Sequence, residues 1–171
     1  MLPTLVEQYR GWFEYEKDSH RKVLASLETV PEEGRRSEPF QKALNIMAHI
    51  VAARRMWLHR FEPSSFERPA NLFPTDATRD GLLADLAVME RDWSDYFQRL
   101  TESELERVFT YQTSEGLWFR SVVTDVLTQV YGHSLYHRGQ IASLVRAAGG
   151  QPAMTDFIFW SRESIAPPSS S

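Results

Sequence analysis

Apolar side chains recur every three or four residues along four stretches of the 171-residue chain, and polar or proline-containing segments separate them. In the first stretch, about residues 3–28, Leu5, Tyr9, Trp12, Val23 and Leu27 share one stripe, which Glu16 and His20 interrupt. The second, about 39–61, sets Ile46, His49, Ala53 and Met56 on one face and stops at the proline- and serine-rich segment 62–74. Leu82, Leu86, Met89, Trp93, Tyr96 and Leu100 give the third, about 78–100, the most regular amphipathic pattern. The fourth, about 121–148, turns Val123, Val126, Val130, Ile141 and Leu144 inward and ends at Gly149, Gly150 and Pro152.

Between the third and fourth stretches the period changes. Residues 108–120 place β-formers on both sides of Thr113-Ser114-Glu115-Gly116, the pattern of two short strands joined by a glycine-containing turn. Four helices of about 20–28 residues with this one excursion predict an all-α fold, a four-helix bundle with a short β-hairpin before the fourth helix. A single domain over 1–166 is expected, with the aromatic run 154–160 packed back on the bundle and 167–171 as a disordered tail.

Composition narrows the function classes. A net charge of -4 and a pI near 5.7 argue against a general electrostatic grip on nucleic acid or an anionic membrane, so neither is expected as a partner. With no cysteine, thiolate catalysis and sulfur-ligated metal sites are excluded. No segment reads as a membrane span or a signal peptide, and a cytoplasmic protein is expected.

The candidate chemistry lies in histidine, of which the chain has 5. His133 and His137 are four residues apart on the predicted stripe 130, 133, 137, 141 and 144, which points both rings inward and brings them within reach of one ion. His49 is a third inward imidazole, from the second helix. His59 is ten residues further along that helix, about 15 Å away, and turns toward a charged end. Buried imidazoles need partners, and two readings fit them here: satisfied core histidines, or ligands of one metal. Glu102, Glu104 and Glu106 read as a solvated connection. Ser134 points to another face of its helix without an acid partner, which argues against a nucleophile.

The run His133-Ser-Leu-Tyr-His-Arg-Gly-Gln-Ile141, together with Asn45-Ile-Met-Ala-His-Ile-Val-Ala-Ala-Arg-Arg-Met-Trp-Leu58 and Gln151-Pro-Ala-Met-Thr-Asp-Phe-Ile-Phe-Trp160, resembles the DinB family of four-helix-bundle metalloenzymes, which includes YfiT-like proteins. The resemblance covers nearly the whole chain. It implies one divalent transition metal, nickel or zinc, held by His49, His133 and His137. It further implies a homodimer, an expectation that the aromatic content of 12% supports. Around such a site Glu16, His20, Gln129, Tyr136 and Gln140 are candidates to orient ligands or touch substrate. Arg138 is expected to reach solvent or a partner subunit, and Gly139 to permit close helix contact. Three histidine ligands leave an open coordination position, the arrangement of a catalytic site. The implied function is a metal-dependent enzyme on a small molecule, in the manner of the family's thiol-dependent S-transferases, with a low-molecular-weight thiol as cosubstrate. The alternative is a non-catalytic, stress-associated metal-binding or scaffold protein.

Overall fold

Thr4 opens the first helix through a reciprocal cap: its hydroxyl accepts from the Glu7 amide at 3.2 Å while its own amide donates to the Glu7 carboxylate at 2.7 Å. In the computed structural model, which describes residues 2–165, this cap leads into α1 (Leu5–Glu28). A single turn, α2 (Glu32–Arg35), precedes α3 (Glu38–Phe61), whose cap is Ser37 and whose first turn holds Pro39. Thr78 caps α4 (Arg79–Arg99) in the same way, and Thr101 caps the short α5 (Glu102–Leu105).

Strands β1 (Val108–Gln112) and β2 (Trp118–Val122) pair antiparallel, with Val108 opposite Val122 and Gln112 opposite Trp118. Gly116, at φ 83°, supplies the left-handed residue the turn requires. The chain then passes without a loop from β2 into α6 (Val123–Ala147). Gly149, at φ 84°, ends α6: its amide donates to the Arg146 carbonyl and the Gly150 amide to the Val145 carbonyl, at 3.0 and 2.9 Å. A last turn, α7 (Phe157–Ser161), follows.

The architecture is the expected all-α bundle with its hairpin. α1, α3, α4 and α6 form the four walls, with α3 packed on α4 and α6, and α1 closing the other side against both. Met47, Met89, Trp93, Leu127 and Val145, all fully buried, fill the centre. No described helix is long and apolar enough to cross a membrane. The proposed tail at 167–171 lies outside the described residues.

One expectation is corrected by the rotation of α6. Its most buried positions are Val123, Val126, Leu127, Val130, Tyr131, Ser134, Arg138, Ile141 and Val145, so the inward face centres on Ser134 and Arg138. His133 and His137 lie on its edge, half-buried, on the side of α3. Arg138 therefore does not reach solvent or a partner: its guanidinium is 3% exposed and bound to Glu16. Gly139 is exposed, and an added methyl there would meet nothing within 4 Å, so it mediates no close helix contact.

The aromatic run 154–160 does fold back, though only at its edge. Tyr15 packs edge-on against Phe157 and Trp160, at 5.1 and 5.7 Å between ring centres, and its hydroxyl donates to the Thr155 carbonyl. The outer sides of Ile158 and Phe159 stay exposed.

Candidate metal centre

α3 and α6 share the most extensive contact in the bundle, and their facing edges carry the three histidines. His133 Nε2 lies 3.1 Å from His49 Nε2 and 3.1 Å from His137 Nε2. One nitrogen from each ring falls within 4.8 Å of the others. Metal–nitrogen bonds of about 2.0–2.1 Å place neighbouring ligand nitrogens about 2.8–3.0 Å apart at octahedral angles and about 3.3–3.4 Å apart at tetrahedral ones, so a spacing of 3.1 Å fits a shared ion.

The outer sides of two rings fix which nitrogen faces the centre. His49 Nδ1 donates to the Leu72 carbonyl at 2.7 Å, and His137 Nδ1 donates to Gln140 Oε1 at 2.7 Å. A neutral imidazole that donates from Nδ1 presents a lone pair at Nε2. Two lone pairs thus converge on the third ring, which has one proton at most to offer them. That surplus of electron pairs fits a cation. Gln140 is i+3 from His137, so the helix itself sets this contact.

Electrostatics favour the neutral form of His133 and His137. Burial, followed by the neighbouring His137 and His49 and by Arg54, lowers the His133 pKa to about 4. Burial also lowers His137, against the raising effect of its bond to Gln140, with His49 adding to the decrease. Neutral nitrogen donors without a carboxylate or thiolate suit zinc, nickel, copper or iron(II).

Phe73, on the connection between α3 and α4, stacks on the His49 ring at 4.9 Å and 15°. The same connection supplies the Leu72 carbonyl, so a loop holds the His49 ring from outside the bundle. Tyr136 is exposed and meets His137 edge-on at 5.1 Å. Gln129 is exposed on α6, one turn before His133. His59 stands apart, with Nδ1 donating to the Phe66 carbonyl at 2.9 Å.

Glu16 and His20 belong to a different cluster. Glu16, fully buried, receives the guanidiniums of both Arg54 from α3 and Arg138 from α6. Burial alone would raise its pKa, but Arg54, Arg138 and His20 together hold it below the ordinary carboxylate value. His20 Nδ1 donates to Glu90 at 2.8 Å. Burial lowers the His20 pKa against the raising effects of Glu90 and Glu16. Ser134 accepts from Arg54 at 3.2 and 3.3 Å, and Arg138 donates to the Tyr15 hydroxyl at 2.7 Å. This lattice ties α1, α3 and α6 together beside the histidines.

Arg54 went unnoticed in the sequence reading, as did the parts played by Ser134 and Arg138. A signal for each exists: Arg54 falls in the run Met47, Ile50, Val51, Leu58, and Ser134 and Arg138 fall in the run Leu127, Val130, Tyr131, Ile141, Val145, at core spacing. A charge at such a position announces a buried partner. Leu72 and Phe73 carry no such signal, because loop placement is not periodic.

A model of the DinB family matches residues 4–166. Protein DinB of Bacillus subtilis (strain 168) is 23% identical over 158 residues, which covers 85% of this chain and 88% of that protein. No solved structure matches.

Proposed function

The chain belongs to the DinB family, and from that premise we propose that it is a metal-dependent enzyme on a small molecule, with His49, His133 and His137 holding one divalent transition ion, nickel or zinc. The convergence of three imidazole nitrogens, with His133 Nε2 at 3.1 Å from each of the other two, carries this reading. An ion bound there supplies an electrophilic centre that can acidify a water or a thiol. A low-molecular-weight thiol is the proposed cosubstrate and S-transfer the proposed reaction, as the resemblance to the family's thiol-dependent S-transferases implies; with no cysteine in the chain, the sulfur would come from the cosubstrate.

The chain's residues have separable roles. The Leu72 carbonyl and Gln140 hold His49 and His137 with Nε2 inward, and Phe73 covers one face of His49. Exposed Tyr136 and Gln129 flank the outer edge of α6, where an incoming substrate meets the site. Glu16 and His20 act through the helices rather than by contact with substrate.

A homodimer in the cytoplasm completes the proposal. Leu135 on α6, Phe119 on β2, and Ile158 and Phe159 near the C-terminal turn are all exposed apolar surface of the kind that subunit contacts cover. Light scattering at micromolar concentration is expected to give the mass of two chains; a monomer mass throughout contradicts this part.

Elemental analysis of protein purified without an affinity tag, followed by a screen of small thiols against alkylating electrophiles, tests the enzyme reading. One ion per chain with metal-dependent turnover is expected. One ion without turnover across the screen favours the non-catalytic metal-binding alternative.

A further inference from the structure

Beyond Phe73 a cavity of about 470 Å³ opens between the connection 62–78 and the hairpin, a volume within the usual range of small-molecule sites. Its lining combines Met56, Arg60, Arg68, Phe73, Tyr111 and Trp118. Arg60 lies in the corner of two rings that meet edge-on at 5.1 Å, its guanidinium carbon 4.6 Å from the centre of Trp57 and 4.8 Å from that of Tyr111. Contact with ring faces meets the charge of a guanidinium but leaves its N–H donors to be satisfied by hydrogen-bond acceptors.

Those donors have no hydrogen-bond partner among the described residues. Arg60 Nε is buried without a hydrogen bond, an arrangement that carries a desolvation cost. Burial pushes the Arg60 pKa down; Tyr111 opposes it, Arg68 on the same cavity adds to the decrease, and Glu115 in the hairpin turn opposes it least. Glu115 is itself bound by the Ser114 hydroxyl at 3.0 Å. Elsewhere guanidiniums meet carboxylates, as in Arg55 with Asp85, Arg99 with Glu62 and Arg107 with Glu104. In a chain of net charge -4, two arginines without an ion pair among the described residues share one cavity. The walls beside them are aromatic, with Phe73 67% and Trp118 70% exposed.

We propose that this cavity binds a small organic anion with a flat apolar body, whose charged end is received by Arg60 and Arg68 and whose body rests on Phe73 and Trp118. A planar fork of N–H donors matches a carboxylate edge-on, and rings on either side match a flat body. Phe73 is the wall shared with the histidines, and Met56 is seven residues along α3 from His49, about 10 Å on the helix axis. An anion of modest length anchored here extends toward the histidine cluster. Its role as substrate rests on the metalloenzyme reading; its binding does not.

Calorimetric titration with benzoate and with its uncharged isostere benzamide separates the two claims. Benzoate is expected to bind at least about tenfold more tightly, because only the carboxylate engages both guanidiniums. Arg60→Gln and Arg68→Gln are expected to abolish that preference while metal content per chain stays at the parent value. Arg68 is exposed, so its variant keeps the test sound should Arg60→Gln fold poorly. In His133→Ala, stripped of metal, benzoate binding is expected to persist. Equal binding of the two probes, or a preference that survives both glutamine variants, overturns the proposal. So does benzoate binding that disappears with the metal, since the carboxylate is then a metal ligand. If the protein binds no metal at all, the preference for benzoate still stands or falls alone.

Discussion

Two polar clusters sit side by side between α3 and α6, and they differ in what completes them. The deeper one, Glu16 with Arg54 and Arg138, is ion-paired inside the fold: a fully buried carboxylate is shared by two guanidiniums from two other helices, while Arg54 Nη1 and Arg138 Nε stay buried without a hydrogen bond. The shallower one, His49, His133 and His137, turns its lone pairs toward one point, and no cationic side chain among the described residues is hydrogen-bonded to them. The first links three helices, and the second is the one whose geometry fits an added ion. Burial depth follows the same division, since a buried charge must be paired within the fold, whereas neutral imidazoles tolerate a half-buried rim.

The sharpest way to break the contrast is Glu16→Ala. It leaves two guanidiniums buried without their carboxylate, and removal of one partner of such a set costs about 3–5 kcal/mol. Chemical denaturation followed by circular dichroism is expected to show a loss of that size. A loss below about 1 kcal/mol means that the lattice is not integral to the fold.

Next comes the histidine cluster. His137→Ala is expected to weaken metal binding by more than about 100-fold with little loss of metal-free stability, while His59→Ala leaves affinity at the parent value. Competition with a chromogenic chelator reads both. If His59→Ala weakens binding as much as His137→Ala, the ion lies elsewhere.

A smaller effect is expected at Gln140, which touches the ligand and not the ion. Gln140→Ala releases His137 Nδ1 and is expected to cost about 10–100-fold in metal affinity, the usual effect of losing a hydrogen bond that orients a ligand. Unchanged affinity in the same chelator assay assigns no orienting role to Gln140.

The last test is the dependence on pH. The folded pKa values of His20 and His133 are lowered, the latter to about 4, so between about pH 6.5 and 4 the unfolded chain binds more protons than the folded one. The stability contributed by the neutral rings is complete above pH 6.5 and is lost as pH falls through that window. Melting temperatures of metal-free protein are expected to decline from pH 7 to pH 4.5, and less steeply in His20→Gln. A flat profile contradicts the lowered values.

The helices, the stop at Gly149 and Gly150 and the hairpin were legible because period and turn chemistry are local; the caps Thr4, Ser37 and Thr78, at or beside the expected boundaries, come from the structure. The histidines were legible as neighbours through their spacing on α6. Their depth was not, because apolar residues alone do not define the inward face of α6. Ser134, expected on another face of the helix, and Arg138, expected at solvent or a partner, are the centre of that face. Only the tertiary meeting of Glu16 with two arginines makes those positions affordable. The contributions of Leu72 and Phe73 were hidden for another reason, since a loop's path depends on what it lies against.

Metal content measured with X-ray absorption on tag-free protein, beside the folded variant carrying alanine at 49, 133 and 137, tests the central claim most directly. The account predicts one divalent ion per chain in the parent, with three imidazole nitrogens at about 2.0–2.1 Å, and none above background in the variant. A folded variant that retains the parent's metal content and absorption spectrum would contradict it.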